Sequence, residues 1–338
     1  MEPQISVIVP VFNGGKLLSQ CLKAIKESSY KSFELIVVND ASTDNSSEIA
    51  RQHVATVLSL PHRLGPAAAR NLGAQKARGE ILFFVDADVV VQSDSLAQVA
   101  SAFALRPDVA AVFGSYDDAP AQQNFLSQYR NLYHHFVHQA ANENAATFWA
   151  GCGAIRRWAF HAVNGFDAAL YSRPCIEDIE LGSRLRAAGQ KILLDKALRC
   201  KHLKRWTFGS LLKTDIFDRA VPWSRLILER GELVNDLNLR IRDRVSTALV
   251  GLLVFTVFSS LLQPRVLIAV VAALLMIFLL NHRLFGFFFR LRGPGFVAGA
   301  FVMQLLHFFY SGLTFTCCGI QYCFGVKRLK HEVSTEMR

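Results

Sequence analysis

The sequence predicts an α/β domain built on a mainly parallel sheet, followed by apolar helices that cross a membrane. Three observations carry this expectation. Short β-branched runs alternate with stretches of helical period from Ile5 to Val85. Acidic or polar residues sit at the ends of those runs, at Asn13, at Asn39 and Asp40, and at Asp86 and Asp88. From Val245 onward, long apolar stretches dominate the chain.

Ile5–Val11 is a continuous apolar run, as a strand buried on both faces requires. Asn13, Gly14 and Gly15 turn the chain, and Leu17, Leu18, Cys21, Leu22 and Ile25 then recur at helical spacing. Residues 33–38 form a second β-branched run, followed by Asn39, Asp40 and the helix-start signal Ser42, Thr43, Asp44. Residues 54–60 give a weaker third strand, and 65–76 an alanine-rich helix entered through Gly65 and Pro66. Ile81–Val85 is another buried strand, ending at Asp86, Ala87 and Asp88. Beyond it, 95–103 reads as helix, 109–114 as strand, 125–137 as aromatic helix and 151–153 as a Gly-Cys-Gly turn. A helix over 177–186 ends at Gly189, and 192–194 is a last short strand.

Residues 201–239 are basic and amphipathic, with Trp206, Phe208, Leu211, Leu212, Ile216, Phe217 and Trp223, which suits a helical pair at a membrane interface. Three apolar stretches follow, at 245–262, 266–280 and 296–320. The first two are joined only by Gln263, Pro264 and Arg265, which predicts a tight hairpin, and 284–291 is expected to lie in the interface. The expected organisation is an α/β domain over 1–205, interfacial helices over 206–244, about three membrane segments over 245–323 and a basic tail over 324–338. Three crossings from a cytosolic domain leave Lys327, Arg328, Lys330 and His331 outside, against the positive-inside tendency.

The chain has 338 residues and a formal net charge of +10, with only 19% charged residues. Many cations, such as Arg240, Arg242, Arg244, Lys327, Arg328 and Lys330, flank the apolar stretches. Anionic lipid headgroups explain them better than nucleic acid, which is not expected as a partner. The seven cysteines show no CxxC spacing, which argues against a disulfide framework or zinc site and for free thiols. The opening residues lack the pattern of a signal peptide, so the α/β domain is expected on the cytosolic side.

In an open parallel sheet, ligands sit beyond the carboxyl ends of the strands, and the polar clusters after the first, second and fourth runs converge there. Asp86 and Asp88 are hard oxygen ligands suited to Mg²⁺ or Mn²⁺ bridging to phosphate; the plainer reading is a solvated turn. Asp40 could instead cap a helix beside Ser42 and Asp44, and Arg70 could be a surface cation or reach a diphosphate. Glu177 and Asp178 open a helix, where the dipole favours negative charge, or they supply a general base that accepts the proton of an attacking hydroxyl. In the run from Lys201 to Trp206, cations could steady a leaving diphosphate or bind the membrane surface, and His202 could ligate a metal. His134, His135 and His138 share a helix face without a fourth ligand nearby and read as packing residues.

Ile8–Asn13 with 34–44, 65–73, the 83–88 block, and Glu177-Asp178 with Leu181, Arg184, Leu185 and Gly189 together resemble family 2 glycosyltransferases of the GT-A (Rossmann-like) fold, membrane-anchored and of bacterial type. The resemblance spans about Ile5 to Trp206, in order. It implies nucleotide-sugar contacts at Pro10, Asn13, Asp40, Arg70, Asp86, Arg205 and Trp206, with Asp40 at the base and Arg70 near the diphosphate. It implies a divalent metal, Mn²⁺ or Mg²⁺, at Asp88 and Asp86, with His202 a further candidate ligand. Asp178 would be the catalytic base of an inverting displacement, with Glu177 supporting it. Asn39 and Phe12 depart from the usual aspartate and tyrosine, and His202 stands where processive synthases carry the glutamine of Gln-x-x-Arg-Trp.

These features imply transfer of one sugar from a UDP- or GDP-sugar to a lipid or lipid-linked acceptor, at the cytosolic face of the inner membrane. A processive polysaccharide synthase and a catalytically silent membrane scaffold are the alternatives. The first would add more than one sugar, and the second would have lost the carboxylates that stand at Asp88 and Asp178.

Overall fold

A computed structural model describes residues 2–54, 56–260, 263 and 267–325. It divides into two compact units, Met1–Phe208 and Gly209–Arg338.

The first unit is built on one open sheet. Its strands are β1 (Ile5–Val11), β2 (Phe33–Asn39), β3 (Thr56–Ser59), β4 (Ile81–Val85), β5 (Val89–Val91), β6 (Val109–Tyr116), β7 (Cys152–Arg156) and β8 (Lys191–His202). They lie in the order β3-β2-β1-β4-β7-β6-β8-β5. Every residue of β1 and β4 is buried, which is why these strands, Ser6 apart, read as apolar runs rather than as alternation. Helices α1 (Gly15–Lys26), α2 (Ser46–His53), α3 (Pro66–Lys76) and α4 (Ser95–Leu105) connect the first half. Leu18, Cys21, Leu22 and Ile25 of α1 are buried, the stripe that the 3.6-residue period demands. Helices α5 (Phe125–Ala140), α6 (Arg157–Ala162) and α7 (Glu177–Ala187) complete the unit.

Register sets the site. β1 and β2 pair in parallel up to Val11↔Asn39, and β1 and β4 up to Ile8↔Phe84. The chain therefore leaves all three strands at the same edge of the sheet, at Asn13, Asp40 and Asp86. Pro10 falls past the last β1–β4 pair, a sheet position where a residue without an N–H is tolerated.

The sheet is mixed. The pairs β1–β2, β1–β4, β2–β3 and β6–β8 are parallel, and β4–β7, β6–β7 and β5–β8 are antiparallel. Of the turn expected at 151–153 only Gly151 lies in a turn; Cys152 and Gly153 instead begin β7, a central strand. The small residues there answer to crowding, since a Cβ on Gly153 would lie 2.2 Å from the Trp149 carbonyl oxygen and 2.7 Å from the Phe148 ring. The last strand is also longer than the apolar run at 192–194 suggested. Hydrogen bonding to β6 and β5 carries it through a polar stretch as far as His202.

The second unit is helical. It opens with α8 (Phe208–Lys213), a π-helical turn at Thr214–Ala220 and α9 (Val221–Arg230), so the helical part of the amphipathic segment starts after Trp206 rather than at Lys201. α10 (Ile241–Ser260), α11 (Leu267–Leu280) and α12 (His282–Cys323) follow. Residues 284–291, expected at an interface, belong to α12, which breaks at Gly293 (φ 78°, ψ −179°) just before Pro294. α12 is long and apolar enough to cross a membrane by length and composition. Val250, Ile277 and Phe308 are buried together, whereas Leu252, Phe255, Ile268, Val271 and Val302 face outward. Polar links also join these helices: the Asn281 amide donates to Ser246 Oγ at 3.0 Å, and the Tyr310 hydroxyl to Asp215 Oδ2 at 2.6 Å. Pro264 and Arg265 of the expected hairpin, and Lys327, Arg328, Lys330 and His331 of the expected basic tail, lie outside the described residues.

Gly153→Ala should lower the melting temperature by the equivalent of about 1–3 kcal/mol, the usual cost of overpacking. Gly209→Ala in α8, where an added Cβ meets nothing within 4 Å, should leave it unchanged or raise it. Thermal unfolding of the two variants side by side checks this, and equal effects would remove the crowding argument.

Candidate active site

The loops after β1 and β2 clasp each other at the edge of the sheet. Asn13 adopts φ 51°, and its side-chain oxygen accepts from the Thr43 N–H at 2.8 Å. Asp40 is buried, and its two oxygens accept from the N–H groups of Leu64 (2.7 Å) and Gly65 (2.9 Å). Its carboxylate thus fixes the entry to α3 and does not cap a helix; α2 begins only at Ser46. Gly65 is needed at that entry, because at φ 90° a Cβ would lie 2.4 Å from the Ser172 carbonyl oxygen.

Arg70, on the buried face of α3, is not a surface cation; it is 4% exposed. Its Nη2 donates to Asp86 Oδ1 at 2.7 Å and its Nη1 to Glu177 Oε1 at 2.8 Å. The two carboxylates lie 91 residues apart in sequence, at the end of β4 and the start of α7. Burial alone would favour the neutral guanidine, but Asp86 and Glu177 raise its affinity for the proton above the ordinary arginine value. Burial pushes the Asp86 carboxyl upward; Arg70 opposes this and Asp88 adds to it, leaving it above the usual value. Glu177 Oε2 also accepts from the Cys175 N–H at 2.8 Å.

Asp178, half-buried, accepts from the Ala150 N–H at 3.1 Å through Oδ2 and from its neighbour's N–H, Ile179, at 2.8 Å through Oδ1. Burial and the adjacent Glu177 raise its pKa to about 7, against the opposing pull of Arg70 and the two N–H bonds. A carboxyl group tuned to that range is matched to accepting a proton at neutral pH.

The Asp88 side chain faces His202, with Nε2 and Oδ2 3.3 Å apart. Burial raises Asp88, but His202 and Lys204 outweigh it and hold its carboxyl below the ordinary value. The other ring nitrogen of His202, Nδ1, lies 3.0 Å from Asn131 Oδ1. If Nδ1 carries the proton to that oxygen, Nε2 presents a lone pair to a carboxylate, and the contact is favourable only with a cation or a second proton between them. The donor chemistry of Asp88, Asp86 and His202 therefore fits a divalent ion. Among the described residues no group of three His, Cys, Asp or Glu side chains is already gathered for a metal. Carboxylates that leave coordination positions to substrate phosphates suit Mg²⁺ or Mn²⁺.

The remaining sequence candidates are spread along the same wall. Trp206 is buried, its backbone N–H donating to Ser127 Oγ at 2.7 Å and its ring under the Lys204 ammonium at 4.1 Å, whereas Arg205 is exposed. His135 and His138 bond the carbonyls of Tyr116 and Gly114, and His134 packs on Tyr116 and Trp149, as packing residues do. The sequence reading missed Ala150, which acts through its backbone, Asn131, which orients His202, and Tyr116, which stacks on the His202 ring at 4.6 Å. The spacing of Asn131 with His135 and His138 on one helix face was the available signal for the second. All seven cysteines are free thiols, and burial drives those of Cys21 and Cys200 well above the usual range.

Residues 6–163 match the family described as Glycosyl transferase family 2. Glycosyltransferase GlyG of Streptococcus pneumoniae serotype 4 is 38% identical over 101 residues, covering 28% of this chain and 34% of the relative. An uncharacterized glycosyltransferase of Haemophilus influenzae is 35% identical over 119 residues, covering 34% of this chain and 47% of the relative. The matches thus span between a third and a half of those relatives' length. Among solved structures, the mannosyltransferase PcManGT from Pyrobaculum calidifontis, in complex with GDP-Man and Mn²⁺, is similar with a TM-score of 0.51 at 18% identity, covering 97% of this chain and 89% of that one. S. aureus TarS 1-349 in complex with UDP is similar with a TM-score of 0.52 at 17% identity, covering 98% and 93%. At these identities the likeness shows the fold, which is GT-A.

Because its folded value is raised, Asp178 favours the folded state while protonated, and that contribution is lost as pH rises through about 7. Asp178→Asn cannot ionise. Relative to the parent, it should therefore gain melting temperature at pH 8 compared with pH 4. An offset that is the same at both pH values would show that the carboxyl is not raised.

Proposed function

We propose that this chain, whose residues 6–163 match the family described as Glycosyl transferase family 2, is an inverting, metal-dependent enzyme of that family that moves one sugar from a UDP- or GDP-sugar to a lipid or lipid-linked acceptor. The observation that carries this reading is the pairing of two carboxylate sites at one sheet edge, Asp86 with Asp88 and Glu177 with Asp178, through Arg70. One suits a nucleotide diphosphate with its cation, and the other suits a proton acceptor.

Asp178 takes the proton of the acceptor hydroxyl as its oxygen forms the bond to the anomeric carbon. The bond from that carbon to the diphosphate oxygen breaks in the same displacement, and the nucleoside diphosphate leaves on the opposite face, which inverts the centre. A pKa of about 7 lets Asp178 both hold and release that proton near neutral pH. Asp86 and Asp88 would hold the divalent ion, with His202 beside them, and the ion would neutralise charge growing on the departing diphosphate. Asp40 and Asn13 shape the loops where the nucleotide base would lie, and Lys204 and Arg205 add positive charge near Trp206. GDP-Man and Mn²⁺ are named for one structural neighbour and UDP for another, which supports the donor class.

The acceptor assignment rests on the second unit, where α12 is long enough to span and apolar side chains such as Phe255 and Ile268 face outward. An enzyme held in a bilayer reaches acceptors held there too. The inner membrane, with the first unit on the cytosolic side, follows from the need for nucleotide sugars.

The test is donor consumption and transfer by detergent-solubilised protein with native lipid extract, with Mn²⁺ or Mg²⁺ against EDTA, across UDP-, GDP- and dTDP-sugars. One donor should be used, only with metal, and Asp88→Ala and Asp178→Ala should each reduce transfer by about 100-fold or more. The rate should climb with pH through about 7, as Asp178 loses its proton. Chains of several added sugars would instead identify a processive synthase, and no turnover of any donor would identify a scaffold.

A further inference from the structure

The reading of Asp178 as base leaves open what holds it at a fixed distance from the donor side. We propose that Arg70 is a positioning residue that ties Asp86, on the donor side, to the start of the helix that carries the base, rather than a ligand of the diphosphate. This rests on the assignments of Asp86 and Asp178 given above.

The geometry closes a ring. On one path, Asp86 Oδ1 takes a hydrogen bond from Arg70 Nη2, Arg70 Nη1 gives one to Glu177 Oε1, and Glu177 is joined to Asp178 by a peptide bond. On the other path, the Asp86 N–H donates to the Gly151 carbonyl at 3.2 Å, and the neighbouring Ala150 N–H donates to Asp178 Oδ2 at 3.1 Å. Asp86 and Asp178 are thus held from both sides. A planar guanidinium can bond two separate carboxylates at once, which an ammonium at one point cannot match.

The scaffold behind Arg70 repeats the link. The next residue on α3, Asn71, donates to the Phe166 carbonyl at 2.8 Å and accepts from the Phe166 N–H at 2.9 Å. The Phe166 ring lies 5.4 Å from the Arg70 guanidinium carbon. From α7, Arg184 grips Glu180 and also donates to the carbonyls of Val163 and Gly165. The segment 163–166 is therefore fastened to α3 at one end and to α7 at the other. Turning Arg70 towards a phosphate would leave Glu177, 5% exposed, without its cation, a costly state for a buried carboxylate.

The test uses Arg70→Met, Arg70→Lys, Glu177→Gln and the double variant R70M/E177Q in the full-length protein. Donor hydrolysis is followed against pH with the sugar nucleotide that turns over, and UDP and GDP are titrated in Mn²⁺. For R70M, kcat should fall by about 100-fold, as small misplacements of a reacting group cost. Its donor KM and its UDP and GDP affinities should stay within about threefold. The acid limb should move above its wild-type position in R70M, below it in E177Q, and back towards it in the double variant, since Arg70 lowers and Glu177 raises the Asp178 pKa. R70K should keep the limb and lose rate. If R70M does not fold, R70K and the double variant carry the same comparison.

Loss of UDP or GDP affinity by tenfold or more in R70M or R70K, with kcat and the acid limb unchanged, would make Arg70 a diphosphate ligand and overturn the proposal. So would unchanged kinetics in every Arg70 variant. Full transfer by Asp178→Asn would instead remove the base assignment, and the tether with it.

Discussion

A guanidinium withdrawn from water must find its counter-charges inside the protein, and Arg70 finds them on two segments remote in sequence. The desolvation of such a group costs several kcal/mol, of the order of a domain's net stability, so it is tolerated only with good geometry on both sides. β4 must therefore end where Asp86 reaches Nη2, and α7 must begin where Glu177 reaches Nη1. The alanines of α3 serve the same end: Ala67, Ala69 and Ala74 are buried beside Arg70, and small side chains let that helix lie close to the sheet. The position of Asp178 follows, because its neighbour is half of the pair.

The parallel half of the fold was legible because burial on both faces leaves a plain mark. β1 and β4 are apolar at nearly every position, and the residues where the chain leaves the sheet are polar. The antiparallel half left a weaker mark. β7 opens with Cys152 and Gly153, small residues that fit against Phe148 and Trp149 and resemble a turn when read alone. β8 runs through Lys196, Arg199 and Lys201, whose strand conformation is imposed by neighbours β6 and β5 rather than by propensity.

The site divides in the same way. Carboxylates at strand ends and at a helix start were visible as residue types, so Asp40, Asp86, Asp88, Glu177 and Asp178 could be named. Their partners were not visible, since a backbone N–H has no letter in the sequence. Ala150 holds Asp178, and Leu64 and Gly65 hold Asp40, through backbone amides rather than through their side chains. Arg70 was visible as a cation, but whether it faces water or two carboxylates depends on how α3 packs. Asn131 lay in an aromatic helix, and its contact with His202 joins residues 71 positions apart.

The charge inventory adds a constraint on how the site can work. Asp88, Asp86, Glu177 and Asp178 form a series in which Asp86 feels both Asp88 and Glu177, and Asp178 feels Glu177, with Arg70 as the guanidinium set among them. Two like charges about 4 Å apart repel by roughly 4 kcal/mol at an effective dielectric near 20. A diphosphate brought unaccompanied to Asp86 and Asp88 would meet that repulsion from each. The protein's own relief is partial: Arg70 is committed to its two carboxylates, and Lys204 helps to hold Asp88 ionised. On the proposed reading, a cation that enters with the diphosphate would remove the conflict on the donor side. It leaves Asp178 with its raised proton affinity, because Glu177 and burial set that value from the other end of the series. On the proposed reading, a site arranged this way would attract a polyanion and still keep a base of moderate strength within the same crevice, with Arg70, paired to Asp86 and Glu177, set between the two tasks.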